Sequence, residues 1–228
     1  MVGLGALNMF NHLKEIAMSS PRLRIDLEKI VHNTRKTIAI SRSHGFEVMA
    51  VTKGAGGLSE VARAMLAGGV KSLGDSRLDN IDRIRKAGIK THITLLRSPG
   101  PSDIRRTVAL ADASLNADLG VVEALSGEAR IHRKMHSVVL MVDLDTGREG
   151  LEADRIPAAC RKVASLPGVR LAGIGAYFHL ASSSSLHIEA LSRFVAFWIA
   201  FHLGYPALCR LMASPYVQIE YVNELESC

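Results

Sequence analysis

Cysteine is scarce in this sequence, and the few that occur exclude two ways of stabilising a fold. Cys160, Cys209 and Cys228 are an odd number among 228 residues, and no two of them lie close together in the sequence. This pattern does not suit a disulfide framework or a zinc site, and it is typical of proteins kept in a reducing compartment. We therefore expect a cytoplasmic protein without a metal site.

Long apolar runs are also missing. No stretch approaches the roughly 20 uninterrupted apolar residues of a membrane-spanning helix. Polar residues interrupt the first 20 residues and no basic cluster precedes them, so we expect no secretory signal. The composition, 48% hydrophobic and 22% charged, is typical of a soluble globular protein, and the length suits one large domain.

Aromatic residues are nearly absent from most of the chain. The first 176 residues contain only Phe10 and Phe46, and the other nine aromatic residues follow. Although the net charge is +6, the basic residues are scattered and have no aromatic neighbours on which bases could stack. We therefore expect no nucleic-acid partner. The aromatic-rich residues 194–201 remain open to five interpretations: a core helix, a capping helix, a partner surface, a tail whose sequence no longer belongs to the parent fold, or a membrane-associated stretch.

Short β-like segments alternate with longer helical ones, which is typical of parallel strands joined by crossover helices. The predicted strands are residues 23–27, 47–52, 72–74, 92–96, 113–115, 137–144 and 170–176. Helices are predicted to begin near Leu27, Leu58, Asp79, Ser102, Asp118, Asp154 and Leu186. Glycines suited to ending a helix occur at Gly45, Gly68, Gly69, Gly88 and Gly168.

Seven βα units are compatible with an open doubly wound sheet or with a closed barrel. No Gly-x-Gly-x-x-Gly follows the first predicted strand, which removes the main support for a dinucleotide-binding open sheet. We therefore predict an α/β fold of the TIM-type (β/α) barrel class, incomplete or rearranged after about the seventh strand. The predicted organisation is an N-terminal extension at 1–20, the barrel at 21–181, and a divergent segment at 182–228 that completes or caps it.

Lys53 is the most informative single residue, because it follows an apolar strand directly. In such barrels the active site forms where the strands end, so an amine delivered there faces the pocket. Partial burial favours the neutral form of an amine, which is the form that attacks an aldehyde to make a Schiff base. The alternative interpretation is an ordinary lysine that closes a strand.

Four motifs occur in order, each at the end of a predicted strand. They are Ala50-Val-Thr-Lys53-Gly54, the stretch from Ser72 to Asn80, Ser114-Leu-Asn116, and the stretch from Met141 to Gly150. Together they resemble the N-terminal barrel of the alanine racemase family, and within it the ornithine racemase-like branch. The resemblance runs from about Pro21 to about Tyr177.

The resemblance implies pyridoxal 5′-phosphate (PLP) as cofactor, held by Lys53 as an internal aldimine. By the same similarity, Arg148 lies where the family often places a cation near the cofactor's phenolic oxygen, and such a charge stabilises a phenolate. The alternative for Arg148 is an ion pair with Glu149 or Asp145.

Further cofactor contacts are expected at the ends of other strands. Asn116 provides a neutral amide that can orient a cofactor or substrate, and His179 lies roughly where alanine racemases carry a histidine near the pyridine ring. Ser184 and Ser185, in the run from Ser182, resemble a serine-rich phosphate loop. His179 is equally interpreted as a structural residue and the serine run as a linker. Asp75, Ser76 and Arg77 are interpreted either as cofactor contacts or as a structural group at the barrel mouth, in which the carboxylate pairs with the guanidinium.

The predicted function is that of a PLP-dependent amino-acid racemase of the ornithine or alanine type, with a small-molecule amino acid as substrate and Lys53 as one of two bases. In alanine racemases the second base is a tyrosine from a C-terminal β domain of the partner subunit. This chain ends before such a domain, so we expect a shortened form whose activity is open; a homodimer is compatible with it. The alternative functions are a single-domain PLP carrier or homeostasis protein and a barrel remnant with only an interaction role.

Overall fold

A computed structural model describes residues 23–143 and 148–177. Within them, six strands alternate with six α-helices. The strands are β1 (Ala50–Val51), β2 (Ser72–Asp75), β3 (His92–Leu95), β4 (Ala113–Asn116), β5 (His136–Val142) and β6 (Val169–Ala176). The helices are α1 (Leu27–Ser43), α2 (Ser59–Ala67), α3 (Leu78–Lys86), α4 (Ile104–Leu110), α5 (Leu119–Ile131) and α6 (Ile156–Ser165). One-turn 3-10 helices occur at Lys53–Ala55, Pro101–Asp103 and Ala153–Arg155.

The six strands form one parallel sheet in the order β1-β2-β3-β4-β5-β6. Each strand therefore pairs with the next one along the chain, without the reversal of order that an open doubly wound sheet shows at its switch point. Continuous progression in one direction is the arrangement of a (β/α) barrel. The expected α/β, TIM-barrel-like fold is confirmed, and the chain beyond β6 lies outside the described residues.

Local sequence signals account for several helix boundaries. The side chains of Asp26 and Asp118 precede α1 and α5 and accept hydrogen bonds from the first-turn amides of those helices. After α3 the chain passes through Gly88 at φ +79°, a left-handed conformation that suits glycine. The helix ends predicted from glycine positions are thus confirmed where the backbone turns left-handed.

The two faces of the sheet have different neighbours. On one face, buried strand residues such as Leu73, Ile93 and Leu140 pack with the helices in two clusters. On the other, inner face, Leu96, Leu115, Val139 and Met141 form a separate small cluster. Because successive side chains of a strand alternate between faces, this division shows which residues look into the barrel.

The first predicted strand, residues 23–27, is wrong. Residues 23–26 have no regular secondary structure and α1 begins at Leu27. Leu23 is 88% exposed, so the apolar residues that suggested a strand here have no partner strand to cover them. The other six predicted strands are confirmed within a few residues, except that β1 is only two residues long. The helix predicted near Leu186 lies outside the described residues.

Two features are absent from the described ranges, 23–143 and 148–177. No helix there is long and apolar enough to cross a bilayer. No group of three or more metal-ligating side chains comes together there.

Candidate functional site

Lys53 lies at the C-terminal end of β1, where it opens a one-turn 3-10 helix and is partly buried. Two residues before it, Val51 packs against the inner cluster, as does Met49, whereas Ala50 packs with the helices. Lys53 itself follows Thr52, whose backbone is helical, so the alternation of β1 ends before it. The structure places Lys53 directly after the C-terminal end of β1, and its role in a site stays a prediction.

The neighbouring Thr52 is fully buried and fastens this segment to β2. Its amide donates to the Gly74 carbonyl (2.9 Å), and its hydroxyl donates to Oδ2 of Asp75 (2.7 Å). The carbonyl of Thr52 in turn accepts from the amides of Ala55 and Gly57. Hydrogen bonds of Thr52 therefore hold the backbone before Lys53 to β2 and to the turn that follows Lys53.

Arg148 and Tyr177 meet at the same end of the sheet, just beyond β5 and β6. The Arg148 guanidinium carbon lies 4.4 Å from the centre of the Tyr177 ring, within the range of a cation–π contact. Tyr177 packs against the inner cluster, and its hydroxyl points to the Leu96 carbonyl after β3, 3.5 Å away. The ring therefore reaches across the mouth from the end of β6 towards the end of β3.

Tyr177 was not predicted as a site residue. Burial raises the pKa of its hydroxyl, the Glu149 carboxylate acts in the same direction, and the Arg148 guanidinium opposes them. The signal that could have identified it is its place directly after β6, on the inner face shared with Gly175. The register of β5 with β6 shifts between Val138 and Val139, and the sequence of β6 alone does not show this shift.

The guanidinium of Arg148 should control the ionisation of Tyr177. Replacing Arg148 by glutamine removes the guanidinium charge that favours the phenolate, so the pKa of Tyr177 should rise further above its usual value. An alkaline absorbance titration of the variant against the wild type measures this shift. The exposed Arg155→Gln is the control, and equal titration curves for all three proteins would contradict the contact.

A small hollow of about 50 Å³, partly open to solvent, lies against the inner face of the sheet. Side chains of β3 to β6 and Met49 line it, including Thr94, Leu115, Met141 and Arg170. In sequence order, the first lining residue is Met49, four residues before Lys53, and the last is Gly175, two residues before Tyr177. The hollow is mostly apolar, and Lys53, Arg148 and Tyr177 are not among the residues that line it.

Asn116 ends β4 and is fully buried, but it lies on the helix-facing side of the sheet. It shares that face with Ser114, and its amide nitrogen donates to the Ser114 carbonyl (2.8 Å) and hydroxyl (3.0 Å). Its Oδ1 is buried without a protein partner among the described residues. The structure thus does not place Asn116 in the hollow, and its role as a cofactor contact stays a prediction.

Asp75 and Arg77 are joined through the Arg77 backbone, and not through the expected pairing of carboxylate with guanidinium. The Asp75 carboxylate is fully buried and accepts from the backbone amide of Arg77 (2.9 Å), while Arg77 is exposed. The side chain of Asn80 also donates to Asp75. His179, Ser184 and Ser185 lie outside the described residues, so their predicted roles are not tested by the structure.

The fold and the lysine-bearing strand end coincide with a known family. Residues 25–217 match the sequence pattern described as alanine racemase, N-terminal domain. The chain belongs to the alanine racemase N-terminal domain family. The resemblance inferred from the four motifs is therefore confirmed, and the family match includes the strand ends that carry Lys53, Asn116 and Arg148.

Curated relatives of this alanine racemase-family chain are racemases. A lysine racemase from Thermotoga maritima is 31% identical over 161 residues, 71% of this chain and 45% of the relative. An ornithine racemase from Acetoanaerobium sticklandii is 29% identical over 156 residues, 68% of this chain and 44% of the relative. The chain thus spans less than half the length of these curated relatives.

Solved structures agree on the fold. Alanine racemase from E. faecalis superposes with a TM-score of 0.66 at 24% identity, covering 77% of this chain and 49% of that one. PipY of Synechococcus elongatus PCC7942, solved without PLP, gives a TM-score of 0.68 at 16% identity and covers 84% of this chain and 87% of that one. At these identities both matches show the alanine racemase barrel and no more.

Proposed function

We propose that this chain binds pyridoxal 5′-phosphate and acts as an amino-acid racemase of the ornithine or alanine type. The observation that carries the proposal is the location of Lys53, a partly buried lysine directly after the first strand of an alanine racemase-family barrel. An amine at that end meets the opening where barrels of this class bind their ligands. The racemase relatives support the same class of reaction.

The described residues fit the chemistry of this cofactor. Lys53 supplies an amine that can react with an aldehyde, and Arg148 supplies a cation. Tyr177 supplies an aromatic ring that contacts Arg148 and reaches from the end of β6 towards the end of β3. When bound, PLP would supply an electron sink that stabilises negative charge at the α-carbon of an amino acid. Ser184 and Ser185 remain our proposal for the phosphate contacts, His179 for a contact near the ring, and Asn116 for an orienting contact.

In this proposal Lys53 has two tasks, because its amine would hold the cofactor and, when free, would take the α-proton of the substrate. Arg148 would supply positive charge that stabilises an anionic group, and the apolar inner cluster would limit the access of water. Inversion also requires a second proton donor on the opposite side of the α-carbon, since one base returning its proton to the same side restores the starting enantiomer. We assign no residue to that role.

A second candidate is a single-domain PLP carrier without racemase activity. The observation that favours it is the fold match to PipY, which extends over most of both chains, whereas the racemase structure is matched over about half its length. The two candidates share Lys53 and the cofactor, and they differ in whether a proton leaves the substrate.

Solvent exchange separates the two candidates. We expect the PLP-loaded protein, incubated in deuterated water with single enantiomers of ornithine, lysine or alanine, to place deuterium at the α-carbon of one of them. Mass spectrometry measures the deuterium, and chiral chromatography measures the inversion. Deuterium with inversion supports a racemase, whereas deuterium without inversion shows one working base. Absence of exchange with all three substrates would contradict the racemase proposal and support the carrier.

The remaining proposals concern the surroundings of the site. We propose that the barrel occupies residues 21–181, preceded by an extension at 1–20 and followed by a divergent segment at 182–228. We also propose a cytoplasmic location, no nucleic-acid or membrane partner, and a small-molecule amino acid as substrate. Size-exclusion chromatography with light scattering tests whether the chain forms a homodimer.

A further inference from the structure

Strand β1 contributes few of the hydrogen bonds that hold the segment carrying Lys53 in place. β1 contains only two residues, Ala50 and Val51, so only a short ladder of backbone bonds holds it to β2. A loosely held segment would place the Lys53 amine poorly, because catalytic groups need a support that fixes them to within a fraction of an ångström. The structure supplies such a support from β2 and α3.

The centre of this support is the carboxylate of Asp75, which is fully buried. Three donors converge on it: the Thr52 hydroxyl at 2.7 Å, the Arg77 amide at 2.9 Å and the Asn80 side-chain amide at 3.0 and 3.2 Å. A carboxylate surrounded by donors offsets part of its desolvation cost through strong, charge-assisted bonds. An asparagine at this position would turn an NH₂ group towards one of the donors.

A second contact between α3 and the lysine segment lies beside the first. Gly57 adopts φ +68°, and a Cβ there would lie 2.6 Å from Cβ of Asn80, the residue that donates to Asp75. One turn later, the Arg83 guanidinium donates to the Gly56 carbonyl. The start of α3 therefore packs directly on the turn that follows Lys53.

We propose that Asp75 is a positioning residue that fixes the Lys53 amine through Thr52, with Asn80 holding the carboxylate in place. The proposal rests on the proposed function in that the amine is taken to bind PLP. It also assigns a task to the motif from Ser72 to Asn80, which the chemistry at the strand ends leaves unexplained. We name this arrangement of Thr52, Asp75 and Asn80 the lysine clamp.

Thr52→Val is the most specific test, because it removes one hydroxyl from the lysine clamp and leaves the side-chain volume nearly unchanged. In the protein without cofactor, the Ala55, Gly56 and Gly57 amides should exchange with deuterated water about tenfold faster, as expected for losing a bond to a charged acceptor. The apparent affinity for PLP should fall about tenfold as well. Thr52→Ser, which keeps the hydroxyl, should restore both values.

Matched controls separate positioning from a general loss of stability. Thr107, on α4, is also fully buried, and its hydroxyl donates to the carbonyl of Asp103, directly before that helix. Thr107→Val should therefore lower the unfolding midpoint without changing exchange at residues 55–57 or PLP affinity. Asp75→Asn should reproduce the effects of Thr52→Val, while Asp79→Asn, at an exposed carboxylate paired with Arg106, should not.

The outcomes test the lysine clamp and the proposed binding of PLP separately. If Thr52→Val and Thr107→Val show the same exchange at residues 55–57, the lysine clamp does not hold the segment and the inference is wrong. Faster exchange with unchanged PLP affinity would also overturn it, because the clamp would then not position the amine. A wild-type protein that binds no PLP would contradict the proposed function instead, and hydrogen exchange alone would then decide whether the clamp holds.

Discussion

Replacing Lys53 by alanine is expected to abolish covalent binding of PLP. The alanine side chain has no amine, so no bond to the aldehyde can form at this position, although the rest of the barrel is unchanged. We expect the wild type, mixed with PLP and reduced with borohydride, to gain the mass of one reduced cofactor on the peptide that contains Lys53. The variant should show no such gain on that peptide, and the absorbance band that accompanies binding should disappear.

Lys71→Ala is the matched control for this experiment. Lys71 lies just before β2, at the opposite end of the sheet, where its amine pairs with Glu47 at 3.0 Å and is largely exposed. Its loss removes the same charge and the same side chain without touching the proposed site. A Lys53→Ala protein that still binds PLP covalently, with the cofactor mapped to another lysine, would remove Lys53 from the proposal.

Acidification is expected to destabilise the fold through His136. This residue begins β5, is 1% exposed, and places Nε2 2.9 Å from the Ser114 hydroxyl. Burial lowers the pKa of His136 from 6.5 to about 4, against the smaller opposing influence of the Ala111 carbonyl and Asp112. The ring is therefore neutral in the folded protein at neutral pH.

The direction of the pH effect follows from proton uptake. Between pH 6.5 and pH 4 the unfolded chain binds a proton at His136 that the folded chain does not bind, so stability falls as the pH falls through this range. A difference of about 2.5 pKa units corresponds to about 3 kcal/mol of unfolding free energy. Burial lowers the pKa of His92 too, which adds to the effect in the same direction.

Denaturant unfolding at pH 7, 5.5 and 4 measures this contribution. The wild type should lose stability more steeply than His136→Gln, whose side chain is polar but does not titrate. His32→Gln, at an exposed position on α1, should follow the wild type. Parallel pH profiles for the wild type and His136→Gln would show that His136 does not cause the acid sensitivity.

Local sequence features were sufficient to predict the class of fold. Alternation of short apolar strands with helices and glycines at several helix ends are local signals, and local signals suffice for element order. An apolar strand followed by Lys53 predicted that this lysine lies at a strand end. The same reasoning was wrong at residues 23–26, where apolar composition favoured a strand but no neighbouring strand covers it.

Tertiary structure decided what surrounds Lys53 and which side chains reach the inner face. Asp75 lies 22 residues beyond Lys53 in the sequence, and only the pairing of β1 with β2 brings its carboxylate against Thr52. Likewise, the register of β4 turned Asn116 towards the helices, and Tyr177 met Arg148 although no motif joins them. Periodicity along one segment does not specify the register between segments, because register depends on side chains that are distant in the sequence.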